Sequence, residues 1–222
     1  MKDVHVHRVV SEEKLSPFAP SWNFSIIEGV IENVDFGHIA KLLLEKQDEI
    51  LKIKPQNDGM SGLGMKSITA RHLDFNTFNF DDPELNKLKD NIKTLHNVYL
   101  QILGLTEEIP KTELWCKSWY NVMRKGQRIK PHLHDLAPDA YLGGNIVVQC
   151  DDTTTSYMHP YHAFVRAKNP DVDYKSKNEV GKITLFPNYI PHCTTIHKGD
   201  TERITIAFDL LTKKESDIFI KL

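Results

Sequence analysis

The chain has 222 residues, of which 40% are hydrophobic and 26% charged, with a formal net charge of −2 at pH 7. This size accommodates one domain with a substantial core, and the charge balance argues against a nucleic-acid surface. No apolar run approaches the roughly 20 residues that cross a bilayer, no signal-peptide pattern opens the sequence, and three scattered cysteines do not form a disulfide framework. We therefore expect a cytoplasmic protein with no membrane partner.

Helical periodicity dominates the first half of the sequence. Apolar residues recur on one face of residues 38–53 and again of residues 83–103, with charged residues on the opposite face. An aspartate precedes Pro83, which is a typical N-cap followed by proline at the first helical position. The glycine-rich stretch 58–67 between the two segments predicts a loop.

From about residue 112 the pattern changes to short β-branched and aromatic runs separated by turn signals. The predicted strands are residues 112–123, 142–150, 181–187 and 202–211. They indicate an α+β, mainly β fold: a double-stranded β-helix of the jelly-roll or cupin-like kind, with the N-terminal helices packed on one sheet. We expect a single domain over 1–222, with 1–110 as helical and strand support and 111–215 as the jelly-roll core. The long polar segment 150–180 is predicted to shape substrate access.

Histidines from two distant stretches are the candidate metal ligands. His132 and His134 lie two residues apart, so in a strand both side chains leave the same face and can contact one ion. His192 follows a predicted strand that ends at Pro187. A His-x-His pair alone would equally fit two hydrogen-bonded histidines near a loop, so the third histidine carries the argument.

An arginine accompanies the histidines on the last main strand. Arg203 and Thr205 lie two residues apart and share a face. Burying an arginine is costly unless it meets an anion, and its planar fork pairs with a carboxylate through two parallel bonds. A compact dicarboxylic acid would satisfy that need.

The order of these motifs resembles the 2-oxoglutarate/Fe(II) oxygenase superfamily over roughly residues 115–210. The pieces are WYN (119–121), RKG (124–126), HLHD (132–135), LFPNYIPH (185–192) and ERITIAF (202–208). The resemblance implies Fe(II) as the metal, 2-oxoglutarate as co-substrate, and a dioxygenase that hydroxylates a small-molecule or peptide substrate with release of succinate and CO2.

The resemblance also implies roles for individual residues. The first metal ligand of the superfamily matches His132, the distal histidine matches His192, and the arginine that pairs with the far carboxylate of 2-oxoglutarate matches Arg203. Thr205 matches a small hydroxyl residue that shares this carboxylate.

The sequence departs from the family pattern at the second metal ligand. Position 134 holds histidine where most members have aspartate or glutamate, and two histidines with one carboxylate are the usual non-haem iron set. Asp135 could substitute for His134, but neighbouring strand residues point to opposite faces, so we favour His134. Tyr120, Tyr141 and Asn145 are candidates for hydrogen bonds to 2-oxoglutarate or substrate.

Two alternative functions remain open at this point. Three histidines also suit a catalytic zinc ion or a cupin-type metalloenzyme that does not use 2-oxoglutarate. The missing ligand carboxylate keeps a non-catalytic, oxygenase-like binding barrel in consideration. The sequence predicts neither the primary substrate nor the oligomeric state.

Overall fold

The computed structural model describes residues 1–11, 17–18, 21–105, 113–134, 140–159 and 173–222. Within these residues the chain forms ten β-strands in two sheets and three α-helices. The strands are β1 (Lys2–Val10), β2 (Asn23–Val30), β3 (Trp115–Met123), β4 (Ala140–Gln149), β5 (Thr154–Tyr157), β6 (Tyr174–Lys177), β7 (Lys182–Pro187), β8 (His192–Thr194), β9 (Arg203–Leu211) and β10 (Ile220–Lys221). The helices are α1 (Phe36–Glu45), α2 (Gln47–Leu51) and α3 (Pro83–Leu103), and two 3₁₀ turns cover Thr69–Arg71 and Thr77–Asn79.

Helix α3 has the bounds that its sequence predicts. The Asp82 side chain accepts hydrogen bonds from the backbone N–H groups of Glu84 and Leu85, which satisfies two donors of the first turn. Gly104 ends the helix with a left-handed φ of 72°, a conformation in which glycine carries no steric cost. The other predicted helix, 38–53, is divided at Lys46 into α1 and α2.

The larger sheet has the strand order β1-β2-β7-β4-β9-β3-β10, with every neighbouring pair antiparallel. The helices pack on one face of this sheet and form the main hydrophobic core with it. That core includes Leu85, Leu88, Ile92 and Leu95 from α3 and Ile146, Ile183, Leu185 and Ile206 from the strands. Each such side chain contributes about 1.5–3 kcal/mol when fully buried. The mainly β double-stranded β-helix with helices on one sheet is thus confirmed.

The opposite face of the large sheet borders a cavity of about 260 Å³. Strand β9 shows how the alternation works: Arg203, Thr205 and Asp209 line the cavity, while Ile204 and Phe208 point to the helix side. The smaller sheet, in the order β6-β5-β8, supplies Thr155, His192 and Thr194 to the same cavity.

The segment 150–180 contributes β5 and β6 to the smaller sheet, and residues 160–172 of it lie outside the described residues. Its predicted part in substrate access therefore stays a prediction. Within the described ranges, no helix combines the length and apolar character needed to cross a bilayer.

Candidate metal centre

Three histidines converge in the cavity between the sheets. His132 and His134 lie in the connection between β3 and β4, and His192 is the first residue of β8. The ring centroids are 4.3 Å apart for His132 and His192, 4.9 Å for His134 and His192, and 5.8 Å for His132 and His134. One potential ligand atom from each residue lies within 4.8 Å of the other two, so a single ion can contact all three.

The main chain fixes the relative positions of two of these residues. His132 and His192 exchange reciprocal backbone hydrogen bonds, each N–H donating to the other's carbonyl over 3.1 Å. The backbone N–H of His134 donates to the carbonyl of Asn188 at 3.4 Å. The two distant stretches are therefore joined by main-chain pairing immediately below the side chains.

Each imidazole is oriented through its Nδ1 atom. Nδ1 of His132 lies 2.9 Å from the carbonyl of Lys130, and Nδ1 of His192 lies 3.1 Å from the carbonyl of Ile190. Carbonyl oxygens only accept hydrogen bonds, so Nδ1 must carry the proton in both rings and Nε2 keeps its lone pair. Metal-bound histidines have this arrangement, in which the second nitrogen is held by an acceptor.

The third imidazole is held by a carboxylate. Nδ1 of His134 lies 2.6 Å from Oδ1 of Asp209, and both side chains are 2% exposed. A carboxylate that accepts this bond places the proton on Nδ1 and leaves Nε2 as the ligand atom. In the strand register Asp209 stands opposite Gly143, whose missing side chain leaves room for the His134 ring.

Burial keeps two of the imidazoles neutral. It lowers the pKa of His132 to about 4 and holds the pKa of His192 well below its ordinary value, and the neighbouring imidazoles add to both effects. Only a neutral imidazole can donate a lone pair to a metal. The two rings are thus in the metal-binding form throughout the physiological pH range.

Arg203 lies in the same cavity, and no described residue forms an ion pair with it. Its side chain is almost fully buried, Nε donates to Oγ1 of Thr153 at 3.2 Å, and Nη1 has no hydrogen-bond partner among the described residues. Burial lowers the pKa of Arg203 to about 10, which still leaves it charged near neutral pH. An unpaired buried guanidinium is the strongest sign here that the cavity receives an anion.

Thr205 and Asn145 accompany Arg203 in the cavity. Oγ1 of Thr205 accepts from Nδ2 of Asn121 at 3.4 Å, which leaves the hydroxyl proton of Thr205 available to a ligand. Nδ2 of Asn145 donates to the hydroxyl of Tyr157 at 2.9 Å.

Two predicted co-substrate contacts are not brought to the cavity. Tyr120 lies between the cavity residues Trp119 and Asn121 on β3, so its ring points to the helix side and packs against Phe75. The hydroxyl of Tyr141 lies 2.6 Å from Nε2 of His96, on α3 and away from the histidine cluster. Neither tyrosine is retained as a ligand of 2-oxoglutarate.

One predicted alternative falls on a part of the chain without a structural description. Asp135, the proposed substitute for His134, lies outside the described residues.

Two charged residues of the cavity were missed in the sequence. Asp209 follows Arg203 and Thr205 at even spacing on β9, so strand alternation alone could have placed it on the cavity face. Lys117 faces the cavity from β3, but a lysine in a strand is normally read as solvent-exposed, and nothing local marked it as buried.

Comparison with known proteins supports the resemblance seen in the sequence. The family model described as "Putative 2OG-Fe(II) oxygenase" matches residues 117–209, which include all three histidines and Arg203. This family is named for the metal and the co-substrate that the sequence predicts. A search of curated proteins gave no match.

Three solved structures share the fold at low sequence identity. A prolyl-4-hydroxylase from Pseudomonas putida has a TM-score of 0.51 and 10% identity, covering 85% of this chain and 93% of its own. AviO1 from Streptomyces viridochromogenes has a TM-score of 0.54 and 12% identity, covering 84% and 89%. The non-haem α-ketoglutarate-dependent carbocyclase SnoK from nogalamycin biosynthesis has a TM-score of 0.51 and 11% identity, covering 89% and 91%. These structures show a shared fold, and the family-model match supports the resemblance to 2-oxoglutarate/Fe(II) oxygenases over residues 117–209.

Proposed function

We propose that this protein is an Fe(II)- and 2-oxoglutarate-dependent dioxygenase that hydroxylates an unidentified substrate, with residues 111–215 as the jelly-roll core of one oxygenase domain. In this reaction 2-oxoglutarate, O2 and a C–H group yield succinate, CO2 and an alcohol. One oxygen atom enters the alcohol and the other enters succinate, while the C1 carboxylate leaves as CO2. Fe(II), when bound, supplies the redox chemistry that O2 requires.

One observation carries the proposal: three imidazoles with free Nε2 atoms share a cavity with a buried guanidinium that has no anionic partner among the described residues. Three histidines that can contact one ion would fit several classes of metalloenzyme. A cation without an anionic partner beside it specifically calls for an acidic co-substrate, and 2-oxoglutarate has one carboxylate for the metal and another for Arg203.

The residues have distinct parts in this proposal. His132, His134 and His192 would hold the metal through Nε2 and leave the remaining coordination positions open. Arg203 would bind the far carboxylate of 2-oxoglutarate, with the Thr205 hydroxyl as a second donor. The sheets on both sides of the cavity exclude water from the reacting groups.

Anaerobic titration with Fe(II) and 2-oxoglutarate tests the proposal. Chelation of Fe(II) by the keto acid gives a weak charge-transfer band in the visible region, which we expect in the wild-type protein and not in His192→Ala. Admission of O2 should then release succinate. A wild-type protein without the band, or a band that survives His192→Ala, would contradict the proposal.

Zinc chemistry and non-catalytic binding are the competing functions. A zinc hydratase or hydrolase does not need an arginine without an anionic partner in its cavity, so Arg203 argues against zinc chemistry. The three candidate ligands include no carboxylate, which is consistent with a non-catalytic binding protein. Tightly held zinc without 2-oxoglutarate binding would favour the zinc enzyme, and a band without succinate release under O2 would favour the binding protein.

A further inference from the structure

A second buried cation lies in the cavity apart from Arg203. Lys117 is 5% exposed and lines the cavity from β3. Its Nζ lies 5.4 Å from the centroid of the Trp119 ring, and this ammonium forms no ion pair or hydrogen bond with any residue that the structure describes. An ammonium that faces an open cavity at the end of a mostly buried side chain, with no carboxylate partner among the described residues, is placed to receive an anionic ligand.

The nearest acidic residue in the register does not neutralise this lysine. Asp209 stands directly opposite Lys117 in the β3–β9 pair, yet its carboxylate hydrogen bonds to Nδ1 of His134 and forms no ion pair with the lysine. Among the described residues that line the cavity, the charged ones are Lys117, Arg203 and Asp209. Asp209 is thus committed to a metal-ligand candidate, and neither cation has an ion-pair partner in the part of the chain that the structure describes.

The two cations serve different anionic groups. In the strand register Lys117 lies opposite Asp209, and Arg203 lies opposite Met123. The Cα atoms of Lys117 and Arg203 are therefore six residues apart along the paired strands, about 20 Å at ~3.4 Å per residue. In the proposed function, on which this inference rests, Arg203 and the metal account for both carboxylates of 2-oxoglutarate. On that assignment neither carboxylate of 2-oxoglutarate is left for Lys117.

We propose that Lys117 binds an anionic group of the primary substrate, a carboxylate or a phosphate, and that Trp119 and His72 form the wall beside its organic body. His72 contacts the Trp119 ring edge-on with centroids 5.5 Å apart, and burial lowers the pKa of His72, so this wall is uncharged near neutral pH. Leu73 and Met60, both largely exposed, extend it towards the cavity mouth. The substrate is accordingly an organic anion with an apolar or planar body.

Benzoate and benzamide form a matched pair of probes for this subsite because they share a shape and differ in charge. Their dissociation constants would be measured by ligand-observed NMR on the protein loaded with Ni(II) and 2-oxoglutarate, with phenyl phosphate as a second anion. We expect benzoate or phenyl phosphate to bind at least about tenfold more tightly than benzamide, because one charge-assisted hydrogen bond contributes a difference of about that size. Tighter binding of either anion supports the subsite.

Two variants identify the residue responsible. Lys117→Met keeps most of the length of the side chain and removes the charge, so the preference for the anion should disappear. Lys117→Arg should retain most of it, and a thermal melt of each variant checks folding. Equal binding of anion and amide in the wild type, failure of every probe to bind, or a preference that persists in Lys117→Met would overturn the inference.

The Fe(II)/2-oxoglutarate band separates this inference from the proposed function. Lys117→Met should retain the band, because Lys117 is placed on the substrate and not on the co-substrate. If the band is lost in Lys117→Met, the lysine binds 2-oxoglutarate and the subsite is wrong. If the wild type has no band, the proposed function itself fails.

Discussion

Nδ1 of His134 and Oδ1 of Asp209 lie 2.6 Å apart, with both side chains removed from solvent. The pair places a negative charge next to the one ligand position where the superfamily usually has a carboxylate. In the proposed site the carboxylate acts through the imidazole instead of contacting the metal, which makes Asp209 a positioning residue.

Asp209→Asn should weaken metal binding by about 10- to 100-fold, the usual range for loss of such a partner. An asparagine amide can present its N–H to Nδ1 and stabilise the wrong tautomer, with the proton on Nε2. Anaerobic titration with Fe(II) or Co(II) measures the affinity, and ¹⁵N NMR of the histidine rings reports the tautomer.

The exposed Asp200, which pairs with Lys125 on the surface, offers a matched control. Asp200→Asn should leave metal affinity and the histidine tautomers unchanged. Unaltered affinity and tautomer in Asp209→Asn would mean that Asp209 does not position His134.

Arg203→Met should abolish the stabilisation of the protein by 2-oxoglutarate. A ligand that binds only the folded state stabilises it by RT ln(1 + [L]/Kd), so the melting temperature rises with the free ligand concentration relative to Kd. In wild type loaded with Ni(II), millimolar 2-oxoglutarate should raise the melting temperature, and in the variant it should not. Metal affinity should stay within about threefold of wild type, since Arg203 contacts none of the three imidazoles. Equal loss of metal and co-substrate binding would instead assign Arg203 to the fold.

Two neighbouring glycines on β4 form a natural pair of test positions. A Cβ at Gly143 would lie 2.6 Å from Nδ1 of His134, whereas a Cβ at Gly144 would meet the ring of Phe208 on the other side of the sheet. Both Gly→Ala substitutions should destabilise the protein by about 1–3 kcal/mol through overpacking. Only Gly143→Ala should also weaken metal binding, because it displaces the imidazole. Chemical denaturation and metal titration of both variants measure the two effects, and equal losses of metal affinity would contradict the placement of His134.

The metal-free protein should lose stability as the pH falls below about 6.5. In the unfolded chain His132 and His192 titrate near 6.5, whereas burial lowers the pKa of His132 to about 4 and that of His192 well below normal. The unfolded state therefore takes up protons first, and the free energy of unfolding decreases by up to about 1.4 kcal/mol per pH unit for each buried histidine. Urea unfolding at pH 7.5, 6 and 5 measures the slope. His132→Asn should flatten it, and an unchanged slope would show that His132 is not buried in its neutral form.

The parts of the molecule that could be predicted from the sequence are those in which local pattern and tertiary position agree. Helix α3 has its period, its aspartate cap and its terminal glycine in the sequence, and β9 has its alternation. Strand β8 has only three residues, and β6 has four, most of them polar. Such short strands form because of partners far away in the chain, so the local sequence does not predict them.

The residues of the candidate site likewise fall into those that local sequence identifies and those that depend on tertiary position. His132, His134, His192 and Arg203 could be selected because motif spacing identified them, and the structure brings them into one cavity. Tyr120 and Tyr141 failed because the face of a strand residue depends on register, and β4 has an irregularity next to Tyr141. Lys117 was missed because its burial depends on residues from distant parts of the chain that line the same cavity.

The reciprocal backbone bonds between His132 and His192 have a consequence for how an ion would be taken up. Zinc fingers gather their ligands only when the metal arrives, so the ion drives their folding. Here main-chain hydrogen bonds that need no metal join His132 to His192, so we expect the two ligands to stay in place without the ion and to lose little conformational entropy on binding. Removal of the ion with a chelator should leave a folded protein that reloads rapidly, and metal supply would then control activity without controlling the lifetime of the polypeptide.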